Sequence, residues 1–251
     1  MSPAQKSISR RAVKALRRPS LLVKHVRRTV RNRRLRRGAT SHPDFYRAVM
    51  ADDVKRRTAK GAVGTETEER WQAAGRKQFR FLRENGLAPT DFLLEIGCGN
   101  LRAGRRFIRY LKPGHYTGVD ISPEILLAAQ DTIVEYELQS KAPRLFLVSG
   151  TSLAFLAPQS FDVVHAHSVF THTPIEVVSA YFAAVHRVLR SGGFFDFTYH
   201  HSDEGSWHVL EEDYYYPTDV LLERAQEAGF SGQRLVDWTY SQPKIRLTKP
   251  R

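Results

Sequence analysis

The stretch FDVVHAHSVFTHTP, residues 161–174, carries three histidines within eight positions. A neutral imidazole accepts a proton or binds a metal, and a protonated one gives a proton back. His165, His167 and His172 therefore invite three readings: metal ligand, catalytic base, or plain structural residue. A metal cage needs three convergent ligands. His165 and His167 share one face of a strand, with His200, His201 and Asp203 as distant candidates for the third. Spacing alone does not gather that set, and no metal is expected.

The base reading favours His172. Thr173-Pro-Ile-Glu176 has the form of a capping box with proline at the first helical position, so a helix is expected from Pro174. His172 would then sit just before a helix N-terminus, where the dipole disfavours the imidazolium and leaves a neutral ring able to take a proton. His167, at the strand exit, is the second candidate base. His200, on the loop after a later strand, is the third. His165 lies inside the strand and reads as a core residue.

A second chemical feature is LLEIGCGNLRAG, residues 93–104. Gly97 and Gly99 permit a tight turn with close approach of a ligand to backbone N–H groups. A dinucleotide fingerprint would place a third glycine at position 102, which is arginine, so nicotinamide-dependent redox chemistry is disfavoured. Glu95 puts a carboxylate at the strand end. Asp120 puts another at the end of the next strand, where it can accept both hydroxyls of a ribose.

These residues need a frame. Strands are expected at 91–96, 115–121, 144–149, 161–167 and 194–199, with two more near QRLVDWTY and KIRLTK. Helices alternate with them at 101–111, 123–138, 174–190 (ended by Gly192-Gly193) and over PTDVLLERAQEAGF. Such alternation specifies an α/β, doubly wound, mostly parallel sheet with helices on both faces. Upstream, Thr65 with Glu68 reads as a capping box opening a helix to Asn85. Trp71, Ala74, Gln78, Phe81 and Leu82 lie on one side of it. Three parts are expected: a basic arm over 1–43, a helical cap over 44–90, and the α/β domain over 91–251.

The charge is uneven. Of the net +13, fourteen Lys and Arg lie between Lys6 and Arg37, no acid precedes Asp44, and the rest of the chain is near −1 (13 − 14). Ile8, Ala12 and Leu16 recur at helical spacing, as do Leu22, Val26 and Val30, with Pro19 between the two sets. Such an arm suits an anionic membrane surface through residues 1–40, a phosphate backbone, or a solvated tail separable from the body at Ser41. No run reaches the roughly 18 apolar residues of a membrane span. The basic start lacks an apolar signal-peptide core, and the single Cys98 fits a reducing compartment. A cytoplasmic protein is expected, at most peripheral to the inner membrane face.

In order and spacing, four stretches resemble motifs of the class I S-adenosylmethionine-dependent methyltransferases. LLEIGCGN resembles the first motif, YTGVDIS the second, FDVVHAHSVFTHTP the fourth and VHRVLRSGGFFDFTY the fifth, over residues 75–245. The resemblance implies a Rossmann-like seven-stranded sheet ending in an antiparallel hairpin, with S-adenosylmethionine as co-substrate. It places the cofactor against Gly97, Cys98, Gly99 and Asn100, with Arg102 close by and Cys98 as packing rather than nucleophile. It assigns Glu95 to the amino end, Asp120 to the ribose, Ile121 to the adenine, and His167 to the neighbourhood of the sulfur. The acid that often follows the third strand is missing from VSGTSL, so Ser149, Gly150 and Thr151 would serve the adenine instead, by backbone or hydroxyl contacts. GCGNLRAG and SVFTH are most similar to bacterial members acting on small molecules and saccharides. The implied reaction is O-methylation of a hydroxyl with a histidine base. The alternatives are ribose methylation of RNA gripped by the arm, or a non-catalytic cofactor-binding partner. Tyr214, Tyr215, Tyr216, Trp71 and Trp207 either line the acceptor site or pack beneath helices.

Overall fold

The computed structural model describes residues 19–64 and 67–251. At its centre lies a seven-stranded sheet in the order β3-β2-β1-β4-β5-β10-β9, buried at its middle strands and exposed at its edges, β3 and β9. The ranges are β1 Leu93–Ile96, β2 Tyr116–Asp120, β3 Arg144–Leu147, β4 Phe161–Ala166, β5 Leu189–Thr198, β9 Ser231–Leu235 and β10 Lys244–Thr248. The first five run parallel, and β10 is antiparallel to both neighbours, β5 and β9. Burial on both faces explains why β1 and β4 read as near-continuous apolar runs.

Leu94, Ile96, Val164, Phe195 and Ile245 face α7 (Ile175–Val188) and α8 (Thr218–Glu227). Leu93, Tyr116 and Val163 face α4 (Glu68–Glu84), α5 (Gly104–Tyr110) and α6 (Pro123–Glu135). Because β1 pairs with β2 on one side and β4 on the other, the winding reverses between β1 and β4. The crevice outside the carboxyl ends opens at that reversal.

Several local expectations are corrected. α4 is capped by Thr67, whose hydroxyl accepts from the Arg70 N–H; Thr65 lies outside the described residues. α7 starts at Ile175 after Pro174 with no side-chain cap, because the Thr173 hydroxyl donates back to the Val169 carbonyl (2.8 Å) instead. It ends at Val188, and Gly192-Gly193 lie inside β5, within the register shift between the Phe161–Leu189 and Val163–Phe194 pairs. A second sheet, in the order β6-β8-β7, is built from His200–His201, Asp213–Tyr216 and Trp207–Val209 respectively.

The N-terminal segment is helical where Leu22, Val26 and Val30 recur at helical spacing. Pro19–Arg36 forms α1, followed by α2 (His42–Arg56) and the single turn α3 (Ala59–Ala62). Ile8, Ala12 and Leu16 lie outside the described residues. α1 is tied to the body: Arg28 pairs with Glu212 and Asp213 (2.6 Å each), and Arg31 with Asp53 (2.8 Å) and Glu212. The buried Asn32 side chain donates to the Leu210 carbonyl (2.9 Å). Among the described residues no helix is long and apolar enough to cross a membrane.

Candidate active site

A cavity of about 500 Å³ fills the crevice. One wall is the β1–α5 turn. Gly97 and Gly99 hold φ +66° and +58°, left-handed values that glycine adopts freely, and a Cβ on Gly97 would run into Val169 Cγ2. Cys98, Asn100 and Arg102 border the same cavity. Asn100 is fixed by the Trp71 indole N–H, which donates to its Oδ1 (2.9 Å), so Trp71 supports the turn from behind.

Asp120 and Ile121 stand at the end of β2, in the cavity wall. The Asp120 carboxylate accepts one N–H from Gly99 at Oδ2 and one from Ser122 at Oδ1, both at 2.9 Å. Burial raises its pKa while these bonds oppose the rise. Each oxygen keeps a lone pair, so the group is oriented to receive two ligand hydroxyls. Glu95, deeper in the wall, is pushed up to about 8 by burial, against the Tyr116 hydroxyl that donates to it (2.5 Å) and the nearby positive Arg102.

Beyond β3 the cavity meets Val148, whereas Gly150 and Thr151 lie outside the lining. The neighbouring carbonyls are held instead by Arg47 of α2. Its guanidinium donates to Ile121 O (2.9 Å) and Ser149 O (3.2 Å).

The histidines separate by depth. His165 is wholly buried against Phe107 and off the cavity. His167 borders the cavity, edge-on to Trp238 and Tyr240. Burial, with Arg102 and Lys244 adding positive charge, holds its pKa well below the usual histidine value, and it stays neutral. His200 sits off the cavity, stacked on Tyr215 and edge-on to His172. His201 pairs with Asp203 (2.9 Å). Among the described residues, no three His, Cys, Asp or Glu side chains converge as a metal site.

His172 lines the cavity from a single 3-10 turn, Phe170–His172. Its backbone oxygen accepts from His42 Nε2 (2.8 Å), and its ring stacks on Tyr46 (5.2 Å between centroids). Ring Nδ1 lies 2.7 Å from the Glu212 carbonyl oxygen and 3.4 Å from Asp213 Oδ1. A carbonyl oxygen only accepts, so this geometry assigns the proton to Nδ1 and leaves the lone pair on Nε2. Among the described residues nothing is hydrogen-bonded to Nε2. The ring's surroundings are thus set by a carbonyl and a carboxylate from β8 and the residue before it. This corrects the expectation that a helix N-terminus governs the ring. Burial alone would raise the Asp213 pKa, but hydrogen bonds from His172 and Arg28 bring it down to about 2. A carboxylate there offsets the positive charge that forms when Nε2 takes a proton.

Tyr214 and Tyr216 are buried, the latter donating to the Thr173 carbonyl (2.7 Å), and none of the three tyrosines borders the cavity. The sequence reading missed Arg28, Tyr46, Arg47, Asp53 and Asp213. The adjacent acids Glu212 and Asp213, facing an arginine-rich segment elsewhere in the chain, were the available signal for Arg28 and Asp213. Tyr46 offered none.

The profile of the methyltransferase domain family matches residues 94–195. A probable methyltransferase, ltbC, of Aspergillus luteorubrus is 27% identical over 142 residues, 55% of this chain and 46% of that protein. The 18S rRNA (guanine(1575)-N(7))-methyltransferase of Saccharomyces cerevisiae is 27% identical over 168 residues, 63% of this chain and 54% of its own length. The chain thus spans about half the length of the curated relatives it matches. Among solved structures, magnesium protoporphyrin IX methyltransferase of Synechocystis PCC 6803 with bound SAM superposes with a TM-score of 0.61 at 17% identity. That match covers 84% of this chain and 98% of the other.

Proposed function

We propose that the chain, whose residues 94–195 match the methyltransferase domain family, is a class I S-adenosylmethionine-dependent methyltransferase that methylates a hydroxyl of a small molecule or saccharide with His172 as general base. The observation that carries this reading is the state of His172. Its Nδ1 proton is committed to the Glu212 carbonyl, Asp213 lies behind it, and it borders the same cavity as Asp120 and the glycine turn.

The cavity fits S-adenosylmethionine. Asp120, held by two backbone N–H groups, would take the ribose hydroxyls, and Ile121 would lie against the adenine. Arg47 fixes the carbonyls that border that end. Glu95 would face the amino end. When bound, the cofactor supplies a methyl group already activated on a sulfonium. The chain's task is then to align donor and acceptor and to remove one proton. Neutral His167 contributes shape and exclusion of water. A volume of about 500 Å³ shared by both ligands suits a compact acceptor, or the protruding end of a larger one.

The test is transfer of labelled methyl from S-adenosylmethionine by the purified chain to separate pools of hydroxylated metabolites, glycans and RNA. Label in an ether-forming position of the first two pools is expected. Labelling confined to RNA would transfer the activity to the kind of acceptor named for the yeast relative. Failure to bind the cofactor in calorimetry would remove the proposal altogether.

A further inference from the structure

The closest ion pairs of α1, those of Arg28 and Arg31, lie on one of its sides. At about 3.6 residues per turn, Arg28, Arg31 and Asn32 point into the body, and the opposite line of the helix carries Val23, Val26 and Val30. These valines are 49%, 51% and 63% exposed. Arg27 and Arg34 flank the row on one side and Arg33 on the other. Among the described residues Lys24, Arg27 and Arg33 pair with no acid, while the Arg34 side chain, 70% exposed, reaches Asp52 at 3.7 Å. No acidic residue occurs in the first 43 positions of the chain.

We propose that this outward face docks the protein on an anionic phospholipid bilayer. Two properties have to be explained together, an apolar row exposed to solvent and the flanking cations, of which Arg27 and Arg33 have no acid partner among the described residues. A lipid surface satisfies both, because valines enter the boundary between head groups and acyl chains while the arginines meet lipid phosphates. A nucleic-acid backbone would use the arginines and leave the valines as exposed as before. The inner face of the helix stays locked to Glu212 and Asp53 throughout, so docking requires no rearrangement of the fold.

The test is co-sedimentation of the full chain with vesicles of equal parts phosphatidylglycerol and phosphatidylcholine, against vesicles of phosphatidylcholine alone. A gel shift with random-sequence RNA runs in parallel. Wild type is expected to bind the anionic vesicles and not the neutral ones. Val23→Ser/Val26→Ser/Val30→Ser keeps every charge and should weaken vesicle binding roughly tenfold with RNA retention unchanged. Arg27→Glu/Arg33→Glu should weaken vesicle binding by more than tenfold. Both variants change outward side chains, so an unshifted melting temperature will certify their fold. No preference for anionic vesicles would overturn the proposal. So would equal vesicle binding by wild type and the serine variant, and tight RNA retention alongside that equality would identify the face as a nucleic-acid handle.

Discussion

Arg28 and Arg31 tie α1 to the folded body through acids of low exposure. The Glu212 side chain is 8% exposed and receives both guanidiniums, while Arg28 also reaches Asp213 and Arg31 reaches Asp53. In Arg28→Ala/Arg31→Ala, Glu212 stays buried with no cation beside it. Breaking a buried pair from one side costs about 3–5 kcal/mol. Because Arg28 is a third exposed, the lower end applies, about 3 kcal/mol. For a chain of this size that lowers the melting temperature by about 6–12 °C. The pH dependence has a definite sign. Asp213 falls from an ordinary 3.8 to about 2 in the folded protein. Its contribution is therefore present above the unfolded value and lost as pH drops through about 2. The gap between wild type and variant should narrow from pH 4 downward, as read by thermal melts monitored by circular dichroism. A chain starting at Ser41, which the composition alone suggests would fold intact, should lose at least as much stability. Melting within about 2 °C of wild type for either protein would refute the view that α1 is part of the folded body.

Asp120→Ala should weaken S-adenosylmethionine binding by at least tenfold, about 1.4 kcal/mol, in calorimetry, because both ribose hydroxyls lose their acceptor. His172→Ala should lower turnover by roughly 10²–10⁴-fold with cofactor affinity nearly constant; His167→Ala should reverse that pattern, disturbing affinity more than turnover. Lys244 is buried over Trp238 and Phe81 with its Nζ unpartnered, and burial lowers it from an ordinary 10.5 to about 8. The unfolded chain binds the extra proton between those values, so wild-type stability should rise by up to roughly 3 kcal/mol from pH 8 to 10.5. In Lys244→Met, denaturant melts should show that rise gone and the neutral-pH midpoint higher.

The α/β frame could be read from sequence because its signals are local. Apolar runs of four to six residues, helical periodicity and the glycines of the β1–α5 turn each act over a few neighbouring positions. The placing of Asp120 at a strand end followed from the same local rule. Capping at Thr67 rather than Thr65, and the back-bond of Thr173 that leaves α7 without a side-chain cap, were less accessible. A threonine hydroxyl can accept from a helix N–H or donate to a nearby carbonyl, and the path of the chain decides which. The surroundings of His172 were beyond sequence reasoning altogether. Its Nδ1 partner lies 40 residues away, and the arginine bracing Asp213 lies 185 residues away. The acid-free composition of the first 43 positions marked a basic segment correctly. That composition held no information on which of its cations would find acids. Charge pairing depends on distance in space, and residues far apart in the chain acquire a distance only once the sheet has brought β8 beside α1.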